Sequence, residues 1–299
     1  MVSANRSVSY THLPSDDLVY PADADPLGGG RSAGRERTGS GGNRRLAEGG
    51  MLVETPLQRL ELLVGPAAIE RLKQACVLIV GIGGVGGYAA EALGRSGIGK
   101  LILVDADTVA PSNLNRQIIA TLQTLNQSKT EVMAARIRSF APECEVRAVN
   151  AFFNEQSESL FDQKIDYVID AIDTLSSKLA LIEMAQRHSV PCISSLGMAN
   201  RFDPTQLTVT TLDKTCNDPL ARALRQMVRK RGFTAKIPVV WSRELPRTQN
   251  QLVNAEGQTL KQKYPPASTI FVPAAAGLTC ASVVFQALIE ENKVPEKKD

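Results

Sequence analysis

The 299-residue sequence predicts an α/β protein, in which a doubly wound, mostly parallel sheet is followed by a smaller, basic C-terminal lobe. Short apolar segments alternate with amphipathic segments of helical length, which is the pattern of repeated βαβ units. A glycine-rich turn follows the first apolar segment, as in Rossmann-like folds. Hydrophobic residues form 43% of the chain and charged residues 22%, a composition typical of soluble globular proteins.

The N-terminal segment differs from the rest of the chain. Residues 1–50 are rich in Gly and Ser, and their six Arg and six acidic residues cancel in charge. They show no sustained apolar period, so we expect a disordered segment. Because Met51 would serve as a start, residues 1–50 are interpreted as a disordered or non-native extension of a main domain over 51–290. Residues 291–299 are expected to be a charged tail.

The main domain begins with apolar residues at helical spacing from Leu57. The continuous apolar run at 76–80 then predicts a buried parallel strand. The same rhythm repeats, which indicates a doubly wound sheet. Further strands are expected at 101–105, 146–150, 167–170 and 192–195, and helices at 84–96, 128–140 and 176–188.

After Met198 the rhythm stops. We expect an exposed strand at 206–212, a basic amphipathic helix at 219–230, a strand at 239–241, a loop at 247–267 and a final helix at 275–290. The apolar stretch at 270–289 contains Pro273, Gly277, Thr279 and Gln286, which favours a packed helix over a membrane span. No membrane contact is therefore predicted.

The net charge of +3 conceals an asymmetry. Residues 214–263 hold eleven Lys and Arg against three acidic residues, a local charge of +8. A basic lobe, about residues 213–268, on an otherwise acidic body predicts a polyanionic partner. A solvated charged face is the alternative.

The cysteines lie far apart, without a Cys-x-x-Cys pair, and the chain has only two histidines. We therefore expect neither a structural zinc nor a disulfide framework, and a reducing, cytoplasmic location. The five cysteines are Cys76, Cys144, Cys192, Cys216 and Cys280.

The first chemical signal is the turn Gly81-Ile-Gly83-Gly84-Val-Gly86, between a predicted strand and a predicted helix. Glycines there let the backbone approach a phosphate, and the helix N-terminus supplies N–H donors. Asp105 follows at the end of the second strand, where a ribose hydroxyl is usually held. On these features alone, an NAD-dependent dehydrogenase and a structural glycine turn are both open.

The next stretch changes that balance towards ATP chemistry. Asp107, Asn113 and Arg116 follow Asp105, and Lys129 opens the next helix. Cations that converge on phosphates stabilise the charge that develops when ATP is cleaved between its α and β phosphates. Asn113 could orient a phosphate or the acyl group. Surface ion pairs are the alternative for Arg116 and Lys129.

Two acidic residues end or follow the strand at 167–170. Asp173 is placed at the carboxyl edge of the sheet, where ligands bind in such folds, and it could hold the Mg²⁺ that accompanies ATP. Asp170 is expected instead to cap the helix that follows it.

Together, Gly-x-Gly-Gly-x-Gly, Asp-x-Asp, Ser-Asn-x-x-Arg-Gln, the downstream Lys and Asp-Ala-Ile-Asp resemble the ubiquitin-activating-enzyme-like (ThiF/MoeB/HesA) adenylyltransferases over residues 57–290. The resemblance implies a homodimer that adenylates a carboxylate with ATP and Mg²⁺. It implies that Asp105 binds ribose, that Arg116 and Lys129 bind phosphates, and that Asp173 binds the metal. It also implies that Arg59 reaches the partner's ATP, although Pro56 stands where a second arginine is often found.

The Cys-x-x-Cys pairs of branches that activate carrier proteins are missing. Residues 213–225, Ser195-x-Gly197, Asp203-Pro204-Thr205 and residues 271–277 resemble the branch that dehydrates threonylcarbamoyladenosine in tRNA. That resemblance implies adenylation of the threonyl carboxylate, then ring closure with loss of AMP. The residues expected to bind the tRNA backbone are Arg222, Arg225, Arg229, Lys230 and Arg231.

Three other functions stay open from the sequence. They are an activator of a small sulfur-carrier protein, an NAD-dependent oxidoreductase and a non-catalytic scaffold. Sulfur-transfer or redox proteins are further candidate partners. Cys216 could accept an acyl group, but an amide nitrogen beside the acyl-adenylate could close the ring without it.

Overall fold

The computed structural model describes residues 54–251 and 266–290. The expectations for 1–50, for 291–299 and for the middle of the 247–267 loop therefore lie outside the described residues. A seven-stranded sheet with the order β3-β2-β1-β4-β5-β7-β6 forms the centre of the structure. Its strands are β1 Cys76–Val80, β2 Lys100–Val104, β3 Glu145–Val149, β4 Tyr167–Asp170, β5 Cys192–Ser195, β6 Leu207–Thr211 and β7 Pro238–Ser242.

The strand pairing confirms the predicted fold class. β1 pairs in parallel with β2 on one side and β4 on the other, and all five of its residues are buried. The parallel pairs β2–β3, β4–β5 and β5–β7 complete the doubly wound part, and β6 runs antiparallel at the edge. The continuous apolar runs therefore mark strands that are covered on both faces.

Seven helices surround the sheet within the described residues. They are α1 Gln58–Val64, α2 Pro66–Gln74, α3 Gly86–Arg95, α4 Lys129–Arg138, α5 Leu175–Arg187, α6 Pro219–Lys230 and α7 Phe271–Ile289. The chain between α1 and α2 breaks at Gly65, whose φ of 83° is left-handed, and Pro66 opens α2. α7 begins four residues before the expected start at 275, because Pro273 is tolerated in the first helical turn.

Two apolar layers cover the two faces of the sheet. Val77 and Ile79 of β1 belong to one layer with residues of α3, α4 and α7. Leu78 and Val80 belong to the other layer, with residues of α5. The alternation along β1 is the period of a strand, so β1 joins the two layers at the centre of the molecule.

The segment after Met198 extends the sheet. β7 lies between β5 and β6, and α6 packs through Leu224 and Val228 against residues of α5 and β7. The described part of the basic region is therefore built on the same sheet as the glycine-rich turn.

α7 is the one helix in the described ranges that is long and apolar enough to cross a membrane. It packs against α2 and α3, and Val272, Ala276 and Cys280 lie in the core. This placement agrees with the packed helix that its sequence predicts.

Candidate nucleotide site and adjoining cavity

The glycine-rich turn after β1 contains glycines of two kinds. Gly81 has a φ of 92°, and a Cβ there would lie 2.6 Å from Ala171 O. A Cβ on Gly86 would lie 1.8 Å from Gly81 O. By contrast, the nearest atom to a Cβ on Gly83 would be 3.7 Å away. Gly81 and Gly86 are thus required by the fold, whereas Gly83 leaves its backbone open to a ligand beside the N-terminus of α3.

Asp105 is fastened to this turn. Ile82 N donates to Asp105 Oδ2 at 2.6 Å, and Asp107 N donates to Asp105 Oδ1 at 2.8 Å. The half-buried carboxylate therefore stands at the end of β2 directly beside the glycines. This is the position in which an acidic residue of a dinucleotide or ATP fold can accept a ribose hydroxyl.

Lys129 and Asp107 form an ion pair at the start of α4. Lys129 Nζ lies 2.7 Å from Asp107 Oδ2, and Lys129 N donates to Asp107 O at 3.0 Å. Lys129 is only 5% exposed, so it is not a surface ion-pair residue. A positive charge in such a partly desolvated position acts more strongly on a nearby phosphate than an exposed one.

Arg116 and Asn113 lie on the loop opposite the turn. Arg116 Nη1 donates to Ser112 O at 2.7 Å, and Arg116 Cγ would lie 3.5 Å from a Cβ on Gly84. Asn113 Oδ1 accepts from Ala110 N at 3.0 Å. The oxygen of Asn113 is therefore used by its own loop, and its amide nitrogen is the group that can donate to a ligand.

The two aspartates around the end of β4 have different surroundings. Asp173 is exposed and accepts from Thr174 Oγ1 at 3.3 Å. Asp170 is fully buried and is bound by Lys178 Nζ at 2.8 Å and Ser194 Oγ at 2.6 Å. The prediction that Asp170 caps α5 is wrong, since Thr174 is the N-cap residue. Asp170 has a structural role of another kind, as the acceptor of a buried charge.

In the part of the chain that the structure describes, no group of three or more His, Cys, Asp or Glu side chains could hold a metal ion. Asp173 is a single carboxylate. That is a fitting donor for Mg²⁺, which is commonly held by one or two carboxylates and by the phosphates of its nucleotide.

Sequence reasoning left two groups of residues without a role. Gln117 is 6% exposed, its Nε2 faces Gly83, and its Oε1 has no hydrogen-bond partner among the described residues. Gln117 is the last residue of the motif Ser-Asn-x-x-Arg-Gln, so the sequence contained a signal for it. Lys178 and Ser194 form the buried cluster with Asp170, and a lysine within the apolar run of α5 was the available signal.

The five basic residues assigned to tRNA differ in their exposure and in their contacts. Arg222, Arg229 and Lys230 are exposed on α6. Arg225 instead donates from Nη1 to Thr215 O at 2.9 Å and to Leu212 O at 3.3 Å. Its guanidinium therefore holds the turn that precedes α6. Arg231 Nη2 lies 3.5 Å from Glu155 Oε1, and Arg231 Nη1 lies 3.8 Å from Glu183 Oε2.

Arg59 lies on α1, where all seven residues are described and none is buried. Its neighbours Leu62 and Leu63 are 73% and 81% exposed. Two large apolar side chains are therefore exposed next to each other on this helix.

A cavity of about 460 Å³ adjoins the nucleotide residues. Its walls are residues 200–202, 247–250 and 267–269. Asn115 Nδ2 donates to Ser268 O at 2.9 Å, so the loop that carries Arg116 contacts one wall of the cavity directly.

The chain is similar to known proteins over most of its length. A family model described as the ThiF family matches residues 57–296. The tRNA threonylcarbamoyladenosine dehydratase of Bacillus subtilis (strain 168) is 41% identical over 247 residues, which are 81% of this chain and 97% of that protein. The Escherichia coli protein of the same name is 44% identical over 168 residues, 56% of this chain and 63% of that protein.

The E. coli dehydratase has also been solved in complex with ATP. That structure matches with a TM-score of 0.69 at 34% identity and covers 78% of this chain and 93% of the other. The similarity thus includes both the nucleotide-binding half and the half that follows β5.

Proposed function

The chain belongs to the ThiF family, and from that premise we propose that it dehydrates the threonylcarbamoyladenosine of tRNA to its cyclic form by ATP-dependent adenylation. The observation that carries the proposal is the 41% identity with the B. subtilis dehydratase over 97% of that protein. An alignment of that extent includes the segments that would bind the substrate, and not only the glycine-rich turn that many nucleotide enzymes share.

ATP binds at the turn between β1 and α3. The backbone of Gly83 and Gly84 and the N-terminus of α3 bind phosphate, and Asp105 accepts from the ribose. Arg116 and Lys129 stabilise the charge that develops on the bridging oxygen and on pyrophosphate. Of these groups Lys129 is the best fixed, because it is 5% exposed and paired with Asp107 at 2.7 Å.

The reaction proceeds in two steps. The threonyl carboxylate attacks the α-phosphorus of ATP, and pyrophosphate leaves. A nitrogen of the carbamoyl group then attacks the acyl carbon, its proton is lost, and the bond to AMP breaks. The nucleoside has then lost one water. Holding nitrogen and acyl carbon together supplies much of the rate of the second step, so no acyl acceptor such as Cys216 is needed.

Asp173 is proposed to hold the Mg²⁺ that accompanies ATP and neutralises phosphate charge. It is exposed at the carboxyl end of β4, beside the turn that carries Gly81. The carboxylate accepts a hydrogen bond from Thr174 Oγ1 at 3.3 Å and is exposed to solvent, which suits a position that a metal–nucleotide complex enters.

We propose a cytoplasmic homodimer in which Arg59 contributes to the partner's site. The exposed apolar pair Leu62 and Leu63 on the same helix supports an interface at α1. The exposed cations of α6, Arg222, Arg229 and Lys230, are proposed to contact the phosphates of the tRNA.

The test is ATP consumption, measured as AMP and pyrophosphate, with tRNA that carries threonylcarbamoyladenosine and with the same tRNA that lacks it. AMP release that requires the modification, with a nucleoside product lighter by one water in mass spectrometry, supports the proposal. Lys129→Ala is the control for contaminating activity. Wild-type protein that binds ATP but releases no AMP with the modified tRNA contradicts it.

A further inference from the structure

The cavity beside the nucleotide site is organised by Asn200. Asn200 N donates to Ala267 O at 2.7 Å, and Asn200 O accepts from Arg247 N at 2.8 Å. The backbone of Asn200 therefore connects the wall at residues 200–202 with the walls at 247–250 and 267–269. Its φ of 59° is left-handed, a conformation that asparagine tolerates better than most residues. The cavity is thus a built feature, with a fixed distance between its walls.

An aromatic ring and a guanidinium group form one side of this cavity. Arg247 Cζ lies 4.2 Å from the centroid of the Phe202 ring, and Phe202 is 53% exposed. Arg247 Nε also lies 3.6 Å from Glu244 Oε1, which fixes the guanidinium over the ring. Aromatic rings and arginine planes are the surfaces on which proteins stack unpaired RNA bases.

The floor of the cavity is joined to the basic helix. Arg201 is 2% exposed, donates from Nε to Glu244 O at 2.9 Å and also donates to Gly197 O. Its Nη2 lies 3.7 Å from Asp218 Oδ2, and Asp218 caps α6 by accepting from Ala221 N at 3.0 Å. The cavity and the exposed cations of α6 are therefore fixed relative to each other.

On these grounds we propose that the cavity binds the purine of the substrate nucleoside, which stacks on the Phe202–Arg247 pair. The assignment rests on the proposed function. The volume of about 460 Å³ lies in the range of sites for single small molecules. The bond from Asn115 to Ser268 joins this cavity to the loop that carries Arg116.

Two substitutions of Phe202 test the stacking contact. Phe202→Leu removes the ring but keeps apolar volume, and Phe202→Trp keeps an aromatic ring as its matched control. For each variant the measurements are the Kd of tRNA with and without the modification at one fixed salt concentration, the Kd of ATP, and AMP release.

The stacking contact predicts that Phe202→Leu raises the Kd of modified tRNA about 10- to 100-fold. Phe202→Trp should stay within about threefold of the wild type, because the ring is retained. The Kd of ATP should not change in either variant.

The outcomes distinguish a wrong assignment of the cavity from a wrong proposed function. Wild-type protein that is active on modified tRNA, together with a Phe202→Leu variant of wild-type affinity, overturns the stacking contact. Wild-type protein that releases no AMP with modified tRNA overturns the proposed function, and the assignment of the cavity with it.

Discussion

Lys178 Nζ lies 2.8 Å from Asp170 Oδ2, and neither side chain is exposed to solvent. Lys178 Nζ also donates to Ser194 Oγ at 3.1 Å and to Ser195 O at 2.9 Å. The cluster ties α5 to the ends of β4 and β5. Asp170 of this cluster lies three residues before Asp173. The residue proposed to bind the metal therefore follows a segment that a buried ion pair stabilises.

Lys178→Met is expected to lower the free energy of unfolding by about 3–5 kcal/mol, because the carboxylate of Asp170 would remain buried without its partner. The double variant Lys178→Met with Asp170→Leu should recover part of that loss, since no buried charge remains. Urea unfolding at neutral pH measures both values.

The exposed pair of Lys73 and Glu70 is the matched control, because its separation of 2.8 Å is the same and its side chains are 52% and 63% exposed. Lys73→Met should cost about 0.5 kcal/mol or less. Equal losses in Lys73→Met and Lys178→Met would contradict the assignment of the stability to burial.

Substitution by alanine should have different effects at Gly86 and at Gly83 of the turn. Gly86→Ala would place a Cβ 1.8 Å from Gly81 O and should destabilise the fold by about 3 kcal/mol or more. Gly83→Ala, with its nearest neighbour at 3.7 Å, should leave thermal stability near that of the wild type and raise the Kd of ATP. A stable Gly86→Ala protein would show that the turn is more adaptable than its packing indicates.

Mixing two inactive variants tests the proposed dimer. Arg59→Ala and Lys129→Ala each lack one component of a site, but in a mixed dimer one of the two sites is complete if Arg59 acts on the partner's ATP. Equal amounts after subunit exchange should restore about a quarter of the wild-type sites. AMP release with modified tRNA measures the recovery. If Arg59 acted within its own subunit, the mixture would stay inactive.

Charge removal on α6 should weaken tRNA binding in a salt-dependent way. For the triple substitution of Arg222, Arg229 and Lys230 by Gln, the magnitude of the slope of log affinity against log salt concentration should decrease by about three. Modified and unmodified tRNA should be affected alike, because phosphate contacts do not distinguish bases.

Arg225→Gln is the control for this set. Its guanidinium donates to carbonyl oxygens of Thr215 and Leu212, so the substitution should cost about 1–3 kcal/mol in stability. The change in salt slope should be smaller than for Arg222→Gln. A lower slope without lost stability would place Arg225 on the tRNA surface after all.

The cysteines should react very unequally with alkylating reagents. Burial raises the pKa of Cys76 and Cys144 to about 11 and that of Cys280 to about 12 from the usual 9.0, and it raises the pKa of Cys192 well above 9.0. The thiolate is the reactive form, so these residues stay unreactive at pH 8, and their thiolate fraction rises only at higher pH. Cys216 is exposed.

Mass spectrometry after iodoacetamide treatment of the folded protein at pH 8 should therefore show one main adduct, on Cys216. Cys216→Ser should take up little reagent and keep the wild-type rate of AMP release, because ring closure needs no acyl acceptor. Loss of the cyclic product in Cys216→Ser, with normal pyrophosphate release, would instead assign it a covalent step.

Much of the fold could be predicted because its signals are local. β1, β4 and β5 lie where their apolar runs predict, and β2 and β3 begin one residue earlier. Parallel strands that are buried on both faces leave such runs in any sequence. The position of β7 between β5 and β6 was not predictable in this way, because strand order depends on pairing between distant segments.

The motif marked residues that lie close together in the structure, but the sequence did not show the direction of every side chain. Consecutive hydrogen bonds link Ile82 of the turn to Asp105, Asp105 to Asp107, and Asp107 to Lys129. Arg225 has the same helical period as an exposed residue, yet its side chain reaches back to the preceding turn. The partner of Asp170 lies eight residues away along the chain, beyond the range of a capping pattern.

The contact between Gly86 and Gly81 has a thermodynamic consequence for nucleotide binding. Because strand, turn and helix pack without room for a Cβ at either residue, the backbone of the turn is already ordered by the fold. The proposed binding of phosphate there should therefore cost little loop entropy, so that more of the interaction energy contributes to affinity.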